Sequence, residues 1–118
     1  MNKGLEGKIV AILGASSGIG RGIALAAASR KPKGIVIGAR RESYLQELAT
    51  QIKSEYGIDV LPIQTDVTNY EQLEAFFRKA NDKYKYVDFV INSAGIIQKE
   101  QNIEDVPQDV FNNIFATN

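Results

Sequence analysis

Ile9-Val10-Ala11-Ile12-Leu13 is a continuous apolar run, and it breaks directly into Gly14-Ala15-Ser16-Ser17-Gly18-Ile19-Gly20. A five-residue apolar run without alternation suits a strand buried on both faces, as in a parallel sheet covered by helices. Downstream, Ile19, Ile23, Ala24, Ala27 and Ala28 recur at helical spacing until Lys31-Pro32-Lys33-Gly34 stops the pattern. The chain therefore begins as strand, glycine loop, helix. A phosphate arriving at a helix start needs open backbone N–H groups, the positive end of the dipole and a turn tight enough to present both. Gly14 can turn sharply off the strand, Gly18 lets a diphosphate approach the main chain, and Gly20 lets the helix pack close; Ser16 and Ser17 add hydroxyl donors. A plain strand-to-helix turn is also often glycine-rich, so the loop alone decides little.

The same alternation continues. Ile35-Val36-Ile37 reads as a second strand, and Ser43 with Gln46 as the capping box of a helix striped by Leu45, Leu48, Ala49, Ile52 and Tyr56, with Gly57 placed for a left-handed cap. Val60-Leu61-Pro62-Ile63 reads as a third strand, outermost because Pro62 lacks a ladder donor. Thr68 and Glu71 suggest a second capping box, ahead of a helix with Leu73, Phe76, Phe77, Ala80 and Tyr84 on its apolar face. Val87 to Ile91 is a fourth strand, and a last helix is expected from about Asp105. This order predicts an α/β fold: a Rossmann-type, doubly wound parallel sheet of about four strand–helix units, forming one dinucleotide-binding domain over 1–118. Ligands of such sheets lie beyond the carboxyl ends of the strands. There the sequence puts the glycine loop, Arg40-Arg41, Asp66-Val67 and Asn92 to Gly95.

Composition narrows the chemistry. Fourteen basic residues balance fourteen acidic ones with no block of one sign, so neither a nucleic-acid nor a membrane footprint is expected. Cysteine and histidine are both absent, which removes thiolate and imidazole metal sites and any triad built on histidine; no metal is expected. The opening residues form neither a signal peptide nor a membrane span, and a cytoplasmic protein is the expectation.

The run from Leu13 to Gly20, with Asp66-Val67 and Asn92-Ser93-Ala94-Gly95, resembles the short-chain dehydrogenases/reductases in content, order and separation, across nearly the whole chain. The family usually has threonine at the place of Leu13 and a second asparagine at that of Ser93. The resemblance implies a nicotinamide cofactor and hydride transfer to a carbonyl, or from a secondary alcohol. It implies that Asp66 accepts from the adenine amino group, with the backbone of Val67 assisting. At the end of the fourth strand, the small residues of Asn92-Ser93-Ala94-Gly95, Ala94 and Gly95 among them, would let the cofactor lie against the chain, and the Asn92 side chain would tie neighbouring strands together. Asn118 matches the asparagine that positions a proton-relaying water in the family's catalytic tetrad.

Where the second strand ends, about twenty residues past the loop, an NAD site wants an acid for the ribose hydroxyls. Ala39-Arg40-Arg41 stands there instead, which favours NADP(H), with NAD the weaker candidate, because a guanidinium pairs with a 2′-phosphate. The two arginines could also simply be a solvated helix start. A methyltransferase on a similar sheet would want an acid at that place too, and Ala39-Arg40 speaks against it.

One part of the family's chemistry is missing. Its proton donor is a tyrosine with a lysine four residues later, and the five tyrosines here are followed at that spacing by Leu48, Val60, Glu74, Asp88 and Val90. The sequence thus looks like the cofactor half of a reductase, cut before the catalytic serine, tyrosine and lysine. Two expectations stay open: a short-chain oxidoreductase acting on a small carbonyl or alcohol substrate once completed, or an inactive dinucleotide-binding module or relic. A bare edge on the fourth strand would invite pairing, self-association into a homo-oligomer included.

Overall fold

The computed structural model describes residues 4–15 and 18–93. Ile9–Leu13 (β1) lies between two parallel neighbours, Gly34–Ala39 (β2) and Phe89–Asn92 (β4), and Asp59–Gln64 (β3) pairs with the far side of β2. The resulting order is β3-β2-β1-β4, all parallel. Every residue of β1 and β2 is buried, as their unbroken apolar sequences require of strands covered on both faces. Pro62 sits on β3, the edge strand, where a missing N–H is easiest to place.

Side-chain alternation along β1 assigns the helices to layers. Val10 and Ile12 pack with Ala24, Ala27 and Ala28 of Gly18–Ala28 (α1) and with Leu45, Leu48 and Ile52 of Glu42–Tyr56 (α2). Ile9, Ala11 and Leu13 point the other way, onto Leu73, Phe76, Phe77, Ala80 and Tyr84 of Tyr70–Tyr84 (α3). The sheet is therefore wound on both faces, the α/β Rossmann-type architecture that the sequence predicts. Small side chains let α1 lie close to the sheet, whereas Phe76 and Phe77, in edge-to-face contact at 5.2 Å, fill the opposite layer.

Both helix starts differ in detail from the capping boxes read in the sequence. Ser43 lies inside the first turn of α2, because Arg41 in extended conformation is the residue that caps it, with no side-chain bond. Thr68 is not the cap of α3. Its hydroxyl and its N–H both turn back onto Asp66 Oδ1, at 2.6 and 2.9 Å, and the helix begins one residue later at Asn69, whose Oδ1 accepts from Gln72 N. Gln72, rather than Glu71, reaches backward, its Oε1 accepting from Asp66 N at 2.8 Å. Gly57 takes the left-handed conformation expected of it, with φ 69°. The fourth strand starts at Phe89 instead of Val87: Asp88 N donates to Ile9 O and Asp88 Oδ2 accepts from Ile9 N, so this residue ties β4 to β1 before the ladder begins. The helix expected from Asp105 lies outside the described residues.

Candidate cofactor site

In-register pairing fixes the site. Leu13 stands opposite Gly38 on one side and Asn92 on the other, and Ala39 stands opposite Gln64. The four strands therefore end level, and the segments that follow them open on one side of the sheet. The sequence-predicted residues Gly14, Gly18, Ile19, Gly20, Arg40, Arg41, Asp66, Val67 and Asn92 are brought to this end. Ser16, Ser17, Ala94, Gly95 and Asn118 lie outside the described residues.

Gly14 leaves β1 with φ 78°, a conformation that side chains disfavour, and both Gly14 N and Ala15 N donate to Gly38 O, at 2.8 and 3.1 Å. That double bond to the end of β2 holds the turn. Gly20 is the close contact of the loop: a Cβ there would sit 2.0 Å from Gly14 O and 2.8 Å from Ala15 Cα. Only glycine lets α1 start against the strand end. A Cβ at Gly18 would meet nothing within 4 Å among the described residues, so the main chain there is open to a ligand, and beside it Ile19 is 54% exposed. The arrangement fits a diphosphate lying on the start of α1.

Ser93 supports the same loop from the other side. It is fully buried, and its Oγ lies 3.0 Å from Leu13 O and 2.9 Å from Gly14 O, donating its one proton to this pair of carbonyls. Ser93 thus ties the end of β4 to the end of β1. Asn92 itself is half-buried at the end of β4. A lone serine after a strand carries no sequence signal for this role.

At the end of β2 the two arginines diverge. The charge of Arg40 acts on Asp66, and its backbone carbonyl accepts from Gln64 Nε2 at 2.9 Å. The carboxyl of Asp66 is held below its usual range, first by the Thr68 hydroxyl, then by the Thr68 N–H, with Arg40 adding attraction. Asp66 is therefore an anion whose Oδ1 is engaged by Thr68, while Oδ2 accepts no hydrogen bond among the described residues. Val67, half-buried, packs onto the α3 layer. Arg41 turns to α2, its guanidinium carbon 5.2 Å from the centre of the Tyr44 ring. A cleft of about 220 Å³ opens there, lined by Arg41, Ser43, Tyr44 and Glu47. Among the described residues the only ion pair is Lys83 with Asp59, at the opposite end of the sheet, so neither Arg40 nor Arg41 is neutralised by a carboxylate within 4 Å.

Among the described residues there is no cluster of three or more metal-ligating side chains and no helix long and apolar enough to cross a membrane.

Comparison with known proteins agrees with this geometry. The family model described as short chain dehydrogenase matches residues 8–118. An NADP-dependent 3-hydroxy acid dehydrogenase of Schizosaccharomyces pombe is 31% identical over 97% of this chain and 44% of its own length. L-Sorbose reductase of Gluconobacter frateurii, solved with NADPH and L-sorbose, superposes with a TM-score of 0.72 at 33% identity, over 76% of this chain and 34% of that one. An alcohol dehydrogenase of Thermococcus sibiricus, solved with 5-hydroxy-NADP, gives 0.69 at 35% identity over 72% and 36%. The chain spans less than half the length of these relatives. By sequence match, sheet order and glycine loop together, it belongs to the short-chain dehydrogenase family.

Proposed function

We propose that this chain binds NADP(H) across the carboxyl ends of its strands, as the cofactor-holding part of a reductase for a small carbonyl or secondary-alcohol substrate. The observation that carries the choice of cofactor is Ala39-Arg40-Arg41 at the end of β2, where a ribose-binding acid would repel a 2′-phosphate, and two guanidiniums with no carboxylate within 4 Å among the described residues attract one. The NADP-dependent relative and the two structures solved with NADP-type cofactors support it.

In this reading Gly14, Gly18 and Gly20, with Ser16 and Ser17, hold the diphosphate, and Ile19 covers the adjoining sugar. Arg40 and Arg41 hold the 2′-phosphate. Asp66 and the backbone of Val67 take the adenine, and Asn92, Ala94 and Gly95 line the remainder. When bound, the cofactor supplies a hydride. In sequence, Asn118 matches the family asparagine that positions a proton-relaying water, but the 118 residues contain no tyrosine followed four places on by lysine. The chain by itself is therefore a cofactor cradle without a proton donor, which favours binding without turnover as the behaviour of this sequence taken alone.

Parallel calorimetric titration with NADPH and NADH is the test. NADPH is expected to bind more tightly, and substitution of Arg40 by alanine should narrow the gap by about tenfold, the worth of a charge-assisted pair. Equal affinity in the unaltered chain removes the role of the arginines, and no binding to either removes the proposal.

A further inference from the structure

Arg41 does not stand alone. The ring of Tyr44 that it approaches is approached as well by Arg21 of α1, whose guanidinium carbon lies 5.9 Å from the same centroid. Arg21 is anchored in turn, donating from Nη2 to Gln51 Oε1 two turns farther along α2. A single line of contacts thus runs Gln51, Arg21, Tyr44, Arg41, from the body of α2 through the first turn of α1 to the mouth of the cleft.

The need for such a support follows from the cleft's other wall. Glu47 lines it together with Arg41, and a long arginine side chain beside a carboxylate would ordinarily close on it. Here no Arg41–Glu47 pair forms within 4 Å. The face of an aromatic ring attracts a guanidinium without neutralising it, so Arg41 keeps its charge and its donors for an incoming anion. Arg21, held by Gln51, approaches the same ring and limits its movement.

We infer that Tyr44 and Arg21 are positioning residues for the 2′-phosphate of the dinucleotide: they hold the Arg41 guanidinium at the mouth of the cleft and away from Glu47. Their part is to place Arg41, not to bond the phosphate themselves. The inference rests on the NADP(H) reading and adds that the preference for the 2′-phosphate depends on a tyrosine and an arginine that act through Arg41.

The experiment compares the dissociation constants for NADPH and NADH in the 118-residue chain and in Tyr44→Leu, Tyr44→Phe and Arg21→Met, each checked by circular dichroism for an unchanged fold. The two dinucleotides differ only in the 2′-phosphate, so a purely structural lesion weakens both alike. Tyr44→Leu should weaken NADPH by about two- to fivefold, the size of a partly exposed cation–π contact, while leaving NADH unchanged. Tyr44→Phe keeps the ring and should retain the original ratio. Arg21→Met should follow Tyr44→Leu, by a smaller factor. In a Glu47→Gln background the loss from Tyr44→Leu should shrink, since the competing charge is gone. An unaltered chain that prefers NADPH, together with a Tyr44→Leu variant of the same preference, overturns the inference and leaves the NADP(H) reading standing. An unaltered chain without preference overturns both.

Discussion

The glycine loop depends on single atoms. At Gly20 one added methyl group would overlap Gly14 O at 2.0 Å, and since that atom is backbone the helix must move to make room. Gly20→Ala is therefore expected to cost about 2–4 kcal/mol, above the usual range for overpacking because no flexible side chain can yield. Urea unfolding reads this directly, and a loss under about 0.5 kcal/mol would show that the contact relaxes cheaply. Ser93 is the milder case. Ser93→Ala removes the hydroxyl shared between Leu13 O and Gly14 O and is expected to cost about 1 kcal/mol of stability. Because the lost bond holds the phosphate loop, dinucleotide affinity should fall with it, in equal proportion for NADPH and NADH. A variant that loses stability but keeps full affinity would separate the serine from the loop's function.

At the scale of elements, α3 is locked at the end of the sheet remote from the site. Tyr84 closes the helix with its ring over Gly34, where a Cβ would come within 2.7 Å of it, and its hydroxyl donates to Asp59 Oδ2 at 2.6 Å. Lys83 Nζ adds an ion pair to the same oxygen at 3.3 Å. The Tyr84 hydroxyl, followed by Lys83, holds the Asp59 carboxyl below its usual range, and burial followed by Asp59 holds the Tyr84 phenol above its own. The signs are opposite. A depressed carboxyl stabilises the fold above pH 4 and loses that contribution as pH falls below it; a raised phenol stabilises below pH 10 and loses it as pH climbs higher. Tyr84→Phe should therefore flatten stability on both flanks and cost about 1–2 kcal/mol at neutral pH, a figure reduced because Asp59 is half-exposed. Thermal melts across pH 3 to 11 measure it, and an alkaline limb unchanged in the variant would contradict the assignment. This latch was not legible in the sequence, where Tyr84 reads only as the end of an apolar stripe and Asp59 as a strand boundary. Periodicity reports which face is buried, and it located every described strand and helix. Partners separated by twenty-five positions leave no such mark. The helix starts failed for a related reason: Thr68 has the right residue type for a cap, but Asp66 takes its hydroxyl first, a competition between side chains that motif spacing does not contain.

For the whole molecule the question is whether a cofactor half can act as a unit. Level strand ends, two filled layers and a sheet of four parallel strands among the described residues form the platform on which the proposed dinucleotide would lie. A ligand that binds only the folded chain stabilises it by mass action, about 2.7 kcal/mol at a hundredfold excess over its dissociation constant. In a domain of this size that amounts to a rise in melting temperature of about 10–20 °C. NADPH should produce this shift, NADH at the same concentration a smaller one. Reduction of a ketone needs a proton delivered as the hydride arrives, and a positioned acid contributes about 10²–10⁴-fold to the rate. None of the five tyrosines has the lysine that would make it that acid. Assayed against a panel of ketones, the 118-residue chain should stabilise on NADPH yet consume none of it above the uncatalysed rate. Stabilisation together with turnover at ordinary enzyme rates would mean that another of its side chains delivers the proton. Neither stabilisation nor turnover would mean that the four strand ends, although brought together, do not by themselves hold the cofactor.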